Sequence, residues 1–346
     1  MFNPGNIGLI KLQNRFIRSA TAEFVANDED GTITKEYHSL YLNLALGEIG
    51  LIIQGHLYIM DEGKAHTNMA GIAHDTQIAG LKEITKLVHE ADKRNLIAAQ
   101  LNHGGAYSES TKTASPREDK EIKVMNEEDI EDVIKGFQEA SLRAKRAGYD
   151  AVQIHSAHGY LLSQFLSNKT NKRTDSWGGS LENRAHFLLS VYQAIRSAVG
   201  SNYPVLVKMN GSDDPLEGFT AEEGSKVANW LANEGLDAIE ISGMRSTRTV
   251  KPEKEAYFAS TARTIKKWVG DMPLVLVGGL RSLAQMQKLR EEFVDFISLC
   301  RPFIREPDLV QKFRTGKKRV DCISCNRCYK ARNIFKCFEK DNINFD

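Results

Sequence analysis

Residues 149–184 read YDAVQIHSAHGYLLSQFLSNKTNKRTDSWGGSLENR. The opening run, Tyr149 to Ile154, has the short apolar character of a strand buried on both faces. From Leu181 towards Val199, apolar residues recur at helical spacing. Between the two lie His155, His158, Gly159 and Tyr160, then a long polar insertion. Two imidazoles and a phenol therefore stand at the carboxyl end of a strand, the edge where barrel and open α/β folds bind ligands. A polar loop whose histidines merely cap the strand is the plainer alternative.

Outward from this stretch the same alternation repeats. Strand-like runs occupy residues 16–21, 50–54, 96–101, 150–155, 205–209, 238–242, 274–277 and 294–299. Amphipathic segments at 76–94, 126–147, 181–199, 220–233, 255–269 and 282–292 separate them. Short apolar strands alternating with helices predict a parallel sheet covered on both faces. Eight such units predict an α/β protein with a closed (β/α)₈ TIM barrel, in competition with an open doubly wound sheet. No G-x-G-x-x-G follows the first strand, which weighs against a dinucleotide-binding Rossmann domain. Residues 1–315 are read as the barrel and 316–346 as a short cysteine-rich C-terminal tail, with the basic run 316–319 as a solvated linker.

Composition narrows the function. With 41% hydrophobic and 26% charged residues and a net charge of +1, the chain has no bulk attraction for nucleic acid or anionic membranes. It contains no apolar run approaching the roughly 20 residues of a membrane span, and its first residues lack a signal-peptide core. These features predict a cytoplasmic protein acting on a small molecule. Four of five cysteines, Cys322, Cys325, Cys328 and Cys337, form a C-x₂-C-x₂-C-x₈-C pattern. In a reducing compartment such a cluster points to metal or cluster ligation rather than disulfides. A [4Fe–4S] cluster, zinc and an unmetallated thiol tail all suit it.

Other residues carry chemistry at predicted strand ends. Gly278-Gly279 follow the seventh strand and Cys300-Arg301 the eighth, where barrels commonly bind phosphate. Glycine lets backbone N–H groups approach an anion, and arginine supplies a fork. Gln100 ends the third strand, and its amide offers both donor and acceptor. Lys208 is a charge in an otherwise apolar strand, so it needs an anion: a ligand, or a carboxylate inside the barrel. His56, after the second strand, is either a site residue or a satisfied core histidine. Zinc held by His155 and His158 is a rival reading, although no third ligand or acidic base is evident nearby.

The run His155-Ser156-Ala157-His158-Gly159-Tyr160-Leu161, with Gln164-Phe165-Leu166-Ser167, Asn171, Arg173, Asp175, Gly178-Gly179-Ser180 and Glu182-Asn183-Arg184, resembles the old yellow enzyme family. Weaker similarity extends from about Asn14 to Pro307, and Asn168 and Trp177 stand where that family usually has Pro and Tyr. The resemblance implies a (β/α)₈ barrel that binds FMN and is reduced by NAD(P)H. It implies hydride transfer from flavin N5 to the β-carbon of an activated alkene. His155 and His158 would hold the acceptor's oxygen, and Tyr160 would protonate the α-carbon. It places Ser19, Ala20, Thr21, Gly55, Gln100, Lys208, Gly243, Gly278, Gly279, Cys300 and Arg301 around the flavin, with Lys208 against its reduced anion. Cys300 is otherwise an ordinary buried cysteine. Phe24 would line the substrate where some relatives carry Tyr, and Ala22 replaces a Cys common in bacterial members.

The tail is similar to that of the dienoyl-CoA reductase and trimethylamine dehydrogenase branch, where a [4Fe–4S] cluster passes electrons to the flavin. Its spacing to the last Cys is shorter than is usual there, and no nucleotide-binding domain follows before Asp346. An electron-transfer protein or the reduced flavin would then feed the cluster. A homo-oligomer is expected. A non-catalytic flavoprotein with a redox-sensing tail is the reading from another functional class.

Overall fold

The computed structural model describes residues 1–108, 112–116, 122–213, 218–244, 255–329 and 334–339. Eight strands close into a parallel barrel: β1 (Phe16–Arg18), β2 (Leu51–Tyr58), β3 (Ile97–Asn102), β4 (Ala151–Ser156), β5 (Val205–Asn210), β6 (Ala238–Ser242), β7 (Leu274–Leu276) and β8 (Phe296–Leu299). Each pairs with its successor, and β8 pairs with β1 through Ile297↔Phe16, Ser298↔Ile17 and Leu299↔Arg18. The helices on the outside are α1 (Lys35–Ala45), α2 (Ile78–Ala91), α3 (Glu127–Arg146), α4 (Leu181–Val199), α5 (Ala221–Asn233), α6 (Ala259–Lys266) and α7 (Leu283–Glu292).

Side-chain alternation sorts the strand residues into two cores. Ile52, Ile97, Val152, Ile154, Val207, Ile239, Ile241, Leu276 and Ile297 face outward and join the apolar faces of the helices. Ile17, Leu51, Ile53, Ala98, Ala151, Leu206, Ala238, Val275 and Phe296 face inward and fill the amino-terminal half of the barrel. A two-stranded hairpin, Gly5–Ile7 with Ile10–Leu12, adds Ile7 and Leu12 to that inner cluster and closes the bottom. The barrel is thus solid below, and only its carboxyl-terminal mouth is left for a ligand.

Two residues further along five of the strands the interior turns polar. Ser19, Gln100, Gln153, Lys208 and Glu240 occupy the inward positions of this second layer, all buried. The predicted helix at 220–233 begins one residue later, because Thr220 is its N-cap. Its hydroxyl accepts from Glu223 N–H at 3.2 Å while the Glu223 carboxylate accepts from Thr220 N–H at 3.0 Å. The predicted 255–269 helix is shorter, Ala259–Lys266.

The basic run 316–319 is solvated, with Gly316, Lys318 and Arg319 exposed, and its backbone is tied to the barrel. Lys318 C=O accepts from Leu283 N–H at 2.9 Å, and Val320 N–H donates to Arg281 C=O at 3.0 Å. Lys317 pairs with Glu306 at 2.7 Å and Asp321 at 2.8 Å. The entry to the tail is therefore laid along the barrel. Among the described residues no helix is long and apolar enough to cross a membrane.

Candidate active site

At the end of β4 the chain makes a sharp reversal. His158 has φ +61° and Gly159 φ +77°, consecutive residues in the left-handed region. This turns the His158 ring back against His155, with centroids 5.0 Å apart and planes at 85°. Tyr160 then packs 5.0 Å from His155 at 69°. Neighbouring strands hold the turn: Asn210 Oδ1 accepts from His158 N–H at 3.0 Å, and Ser242 Oγ lies 2.8 Å from His158 Nε2. His155 Nδ1 accepts from Ala157 N–H at 3.3 Å, which leaves the ring proton on Nε2.

The rest of the 149–184 stretch supports this turn. Asn171 donates to the carbonyls of Phe165 at 2.8 Å and Trp177 at 2.7 Å. Arg173 donates to Met125 C=O at 2.6 Å and pairs with Asp175 at 2.6 Å. Arg184 reaches Leu166 C=O and pairs with Glu223 at 2.5 Å. These polar positions hold the insertion, and His155, His158 and Tyr160 stand together at its root.

Burial sets the protonation states. It holds His155 well below the usual histidine range and takes His158 down to about 3, with Lys208 adding to the effect on both. Burial, then Tyr107, pushes Tyr160 up to about 12. At neutral pH the site presents two neutral imidazoles and a protonated phenol.

A second group of histidines lines the same mouth. Asn102 donates to His56 Nδ1 at 2.9 Å, and His56 Nε2 stands 3.0 Å from His66 Nε2. His66 Nδ1 lies 2.9 Å from Thr67 C=O, which can only accept, so His66 carries its proton there and takes one from His56. His56 is thus hydrogen-bonded on both sides, as a satisfied histidine would be, while its ring lies 5.2 Å from Tyr160. Phe24, with φ +55°, packs 4.3 Å from His66, placing the expected substrate residue beside this pair.

Below them sits the polar layer. Lys208 Nζ is 2.7 Å from Ser19 Oγ and 3.3 Å from Glu240 Oε1. Ser19 Oγ donates to Glu240 Oε1 at 2.7 Å, Gln153 donates to Glu240 Oε2 at 2.9 Å, and Gln100 donates to Gln153 at 2.7 Å. Of the two anions open to Lys208, a barrel carboxylate is present. Glu240 carried the same signal as Lys208, a charge inside an apolar strand. Although burial pushes its carboxyl up, Lys208 and the hydrogen bonds from Ser19 and Gln153 hold it below the usual range. Gly55 N–H donates to Glu23 at 3.2 Å, and a Cβ at Gly55 would stand 2.1 Å from Thr21 C=O, so backbone segments meet there with no room for a side chain. Ala20 packs at the edge of the inner apolar cluster.

At the β7–β8 side, Gly278 (φ +115°) and Gly279 (φ +66°) form a turn. With Tyr257, Arg281, Ser298, Cys300 and Arg301 they line one cleft. Gly243, after β6, backs this side, since a Cβ there would meet the Phe258 ring at 2.5 Å. Arg281 is 4% exposed, and its Nε has no hydrogen-bond partner among the described residues. A buried guanidinium with an unused donor beside two left-handed glycines suits a phosphate. Arg281 was not singled out in the sequence, where it stands outside the strand. Cys300 Sγ touches Thr21 Oγ1 at 3.0 Å and Tyr329 Oη at 3.1 Å.

Cys322, Cys325, Cys328 and Cys337 line a single cavity together with Arg301 and Arg305. Ser324 and Asn326 have φ +64° and +63°, which curls the chain around Cys325. Burial raises the Cys322 thiol and pushes Cys328 up to about 12. Among the described residues no three His, Cys, Asp or Glu side chains stand in a ready metal-binding arrangement.

Residues 1–319 match the family described as NADH:flavin oxidoreductase / NADH oxidase. The chain is 31% identical over 323 residues to an NADPH dehydrogenase of Geobacillus sp. (strain WCH70), covering 89% of this chain and 91% of that protein. It is 30% identical over 349 residues to an NADH oxidase of Thermoanaerobacter brockii, covering 94% of this chain and 52% of the relative. The chain therefore spans about half the length of that protein. Among solved structures, a 2-naphthoyl-CoA reductase in complex with 2-naphthoyl-CoA superimposes with a TM-score of 0.86 at 25% identity, covering 96% of this chain and 54% of that one.

Proposed function

The chain belongs to the NADH:flavin oxidoreductase / NADH oxidase family, and within it we propose an NAD(P)H-dependent FMN oxidoreductase that reduces a small, carbonyl-activated alkene. The observation that carries this reading is the placement of the His158 and Tyr160 rings each 5.0 Å from that of His155, over a mouth closed below by the apolar plug. Bound FMN would supply a two-electron carrier that NAD(P)H can reduce.

Gly278, Gly279, Arg281 and Arg301 would hold its phosphate, and Ser19, Thr21, Gly55, Gln100 and Lys208 would lie along its ring. His155 donates from Nε2 to the acceptor's carbonyl oxygen. His158, tied to Ser242 through Nε2, donates from Nδ1. Neutral imidazoles suit this task, because they stabilise charge as it develops on that oxygen without burying an ion beforehand. Tyr160 keeps its proton at neutral pH and delivers it from Oη to the α-carbon.

Anaerobic half-reactions test the proposal. The purified protein should show a flavin band near about 450 nm that NAD(P)H bleaches and cyclohexenone restores. A flavin that neither reagent perturbs would leave the redox-sensing reading instead.

A second reading rests on the four cysteines that line one cavity. Four thiols, three of them in a C-x₂-C-x₂-C run, suit a [4Fe–4S] cluster, with zinc as the chemical rival. In that case the acceptor's electrons arrive through the tail. Iron and sulfide in stoichiometric amounts after anaerobic purification, lost together in Cys325→Ser, would support it, and zinc alone would refute it.

A further inference from the structure

The cysteine tail does more than stand next to the phosphate cleft. Arg281 Nη2 donates to Ser324 Oγ, and Arg301 Nη1 donates to Asn326 Oδ1 at 2.6 Å and to Ser324 C=O at 3.5 Å. Ser324 and Asn326 alternate with the thiols in Cys322-Ile323-Ser324-Cys325-Asn326-Arg327-Cys328. Ser324 is fully buried, and both residues adopt left-handed backbone. The turn that gathers the cysteines therefore also turns two side-chain acceptors and one carbonyl onto the two buried guanidiniums. Arg281 is further held by its own neighbour, donating from Nη1 to Leu280 C=O at 2.7 Å.

We propose that Ser324 and Asn326 are positioning residues for the flavin phosphate, so that the state of the cysteine tail governs how tightly the barrel retains FMN. An arginine binds phosphate as a fork only while its plane is fixed, and long side chains lose that orientation when their acceptors go. Opening the tail removes these acceptors at once. Ser19, Gln100 and Lys208, which would lie along the ring, stand on other strands and are bonded to one another through Glu240 and Gln153. By reciprocity, a phosphate in the cleft must hold the tail closed. The inference rests on the assignment of Gly278, Gly279, Arg281 and Arg301 to the phosphate.

The test uses the full chain stripped of flavin and titrated separately with FMN and with riboflavin, which lacks the phosphate. Ser324→Gly with Asn326→Gly removes both side-chain acceptors while easing the left-handed backbone, so the turn itself is not strained. FMN affinity should fall about tenfold or more, as for loss of a charge-assisted hydrogen bond, and riboflavin affinity should stay unchanged. FMN and not riboflavin should also slow alkylation of the tail cysteines by iodoacetamide in the metal-free wild-type protein. A parallel fall for both flavins would mean a collapsed turn and overturn the proposal, as would wild-type affinity for both. Arg301→Ala separates the two levels: if it weakens FMN while the tail variant does not, the coupling fails. If Arg301→Ala leaves FMN affinity unchanged, the phosphate assignment itself fails.

Discussion

Lys208 on β5 and Glu240 on β6 are direct register partners, and their side chains meet at 3.3 Å in the middle of the barrel, both essentially without solvent. Lys208→Met would leave the Glu240 carboxylate buried without its counter-charge. The variant should lose about 3–5 kcal/mol, and Lys208→Met with Glu240→Gln should recover most of it. Denaturant unfolding of the flavin-free protein measures this, and a loss under about 0.5 kcal/mol would contradict the pairing. Glu240's depressed value means the contribution is full above about 4.3, its unfolded value, and is lost as pH falls through the folded one. The deficit of Lys208→Met should therefore shrink in acid.

Tyr160→Phe keeps the ring contacts with His155 and His56 and removes only the hydroxyl. Alkene reduction should slow by about 10²–10⁴-fold while reduction of the flavin by NAD(P)H stays near wild type. Stopped-flow measurement of both half-reactions decides it, and an equal loss in both would remove Tyr160 as proton donor.

His158 is held at about 3, far below an unperturbed imidazole. Its unfolded form takes up a proton below about 6.5 that the folded form refuses, so stability falls as pH drops from about 6.5 towards 3. His158→Asn suits the φ of +61° and cannot titrate. Its unfolding free energy should decline less steeply over that window than the wild type's, and identical slopes would show the ring already charged.

Gly278→Ala places a Cβ 2.5 Å from the Phe258 ring at a φ of +115°. A cost of about 1–3 kcal/mol is expected, along with weaker FMN binding. Thermal unfolding and flavin titration check both, and an unaffected variant would show that this turn is not tightly packed.

The barrel was legible because each of its strands is buried on both faces and reads as a short apolar run. The charges inside those runs marked Lys208, and the same logic applied to Ala238-Ile239-Glu240 finds its partner. Other features left weaker traces. The bottom hairpin has three-residue strands, too short for any periodicity. Strand β2 runs on to Tyr58 through an irregularity between Gln54 and Leu57, where Gly55 breaks the apolar pattern. The chain from Asn102 through His56 to His66 joins residues up to 46 positions apart, a relation no local pattern encodes. Arg281 and Ser324, and Arg301 and Asn326, likewise meet only once the tail folds back.

The most direct test of the account is a crystal structure of the FMN-loaded chain. The phosphate should lie against Gly278, Gly279 and Arg301, with the ring across the mouth beneath His155, His158 and Tyr160. A mouth filled by side chains, a flavin seated elsewhere, or the two imidazoles gripping an ion would contradict it.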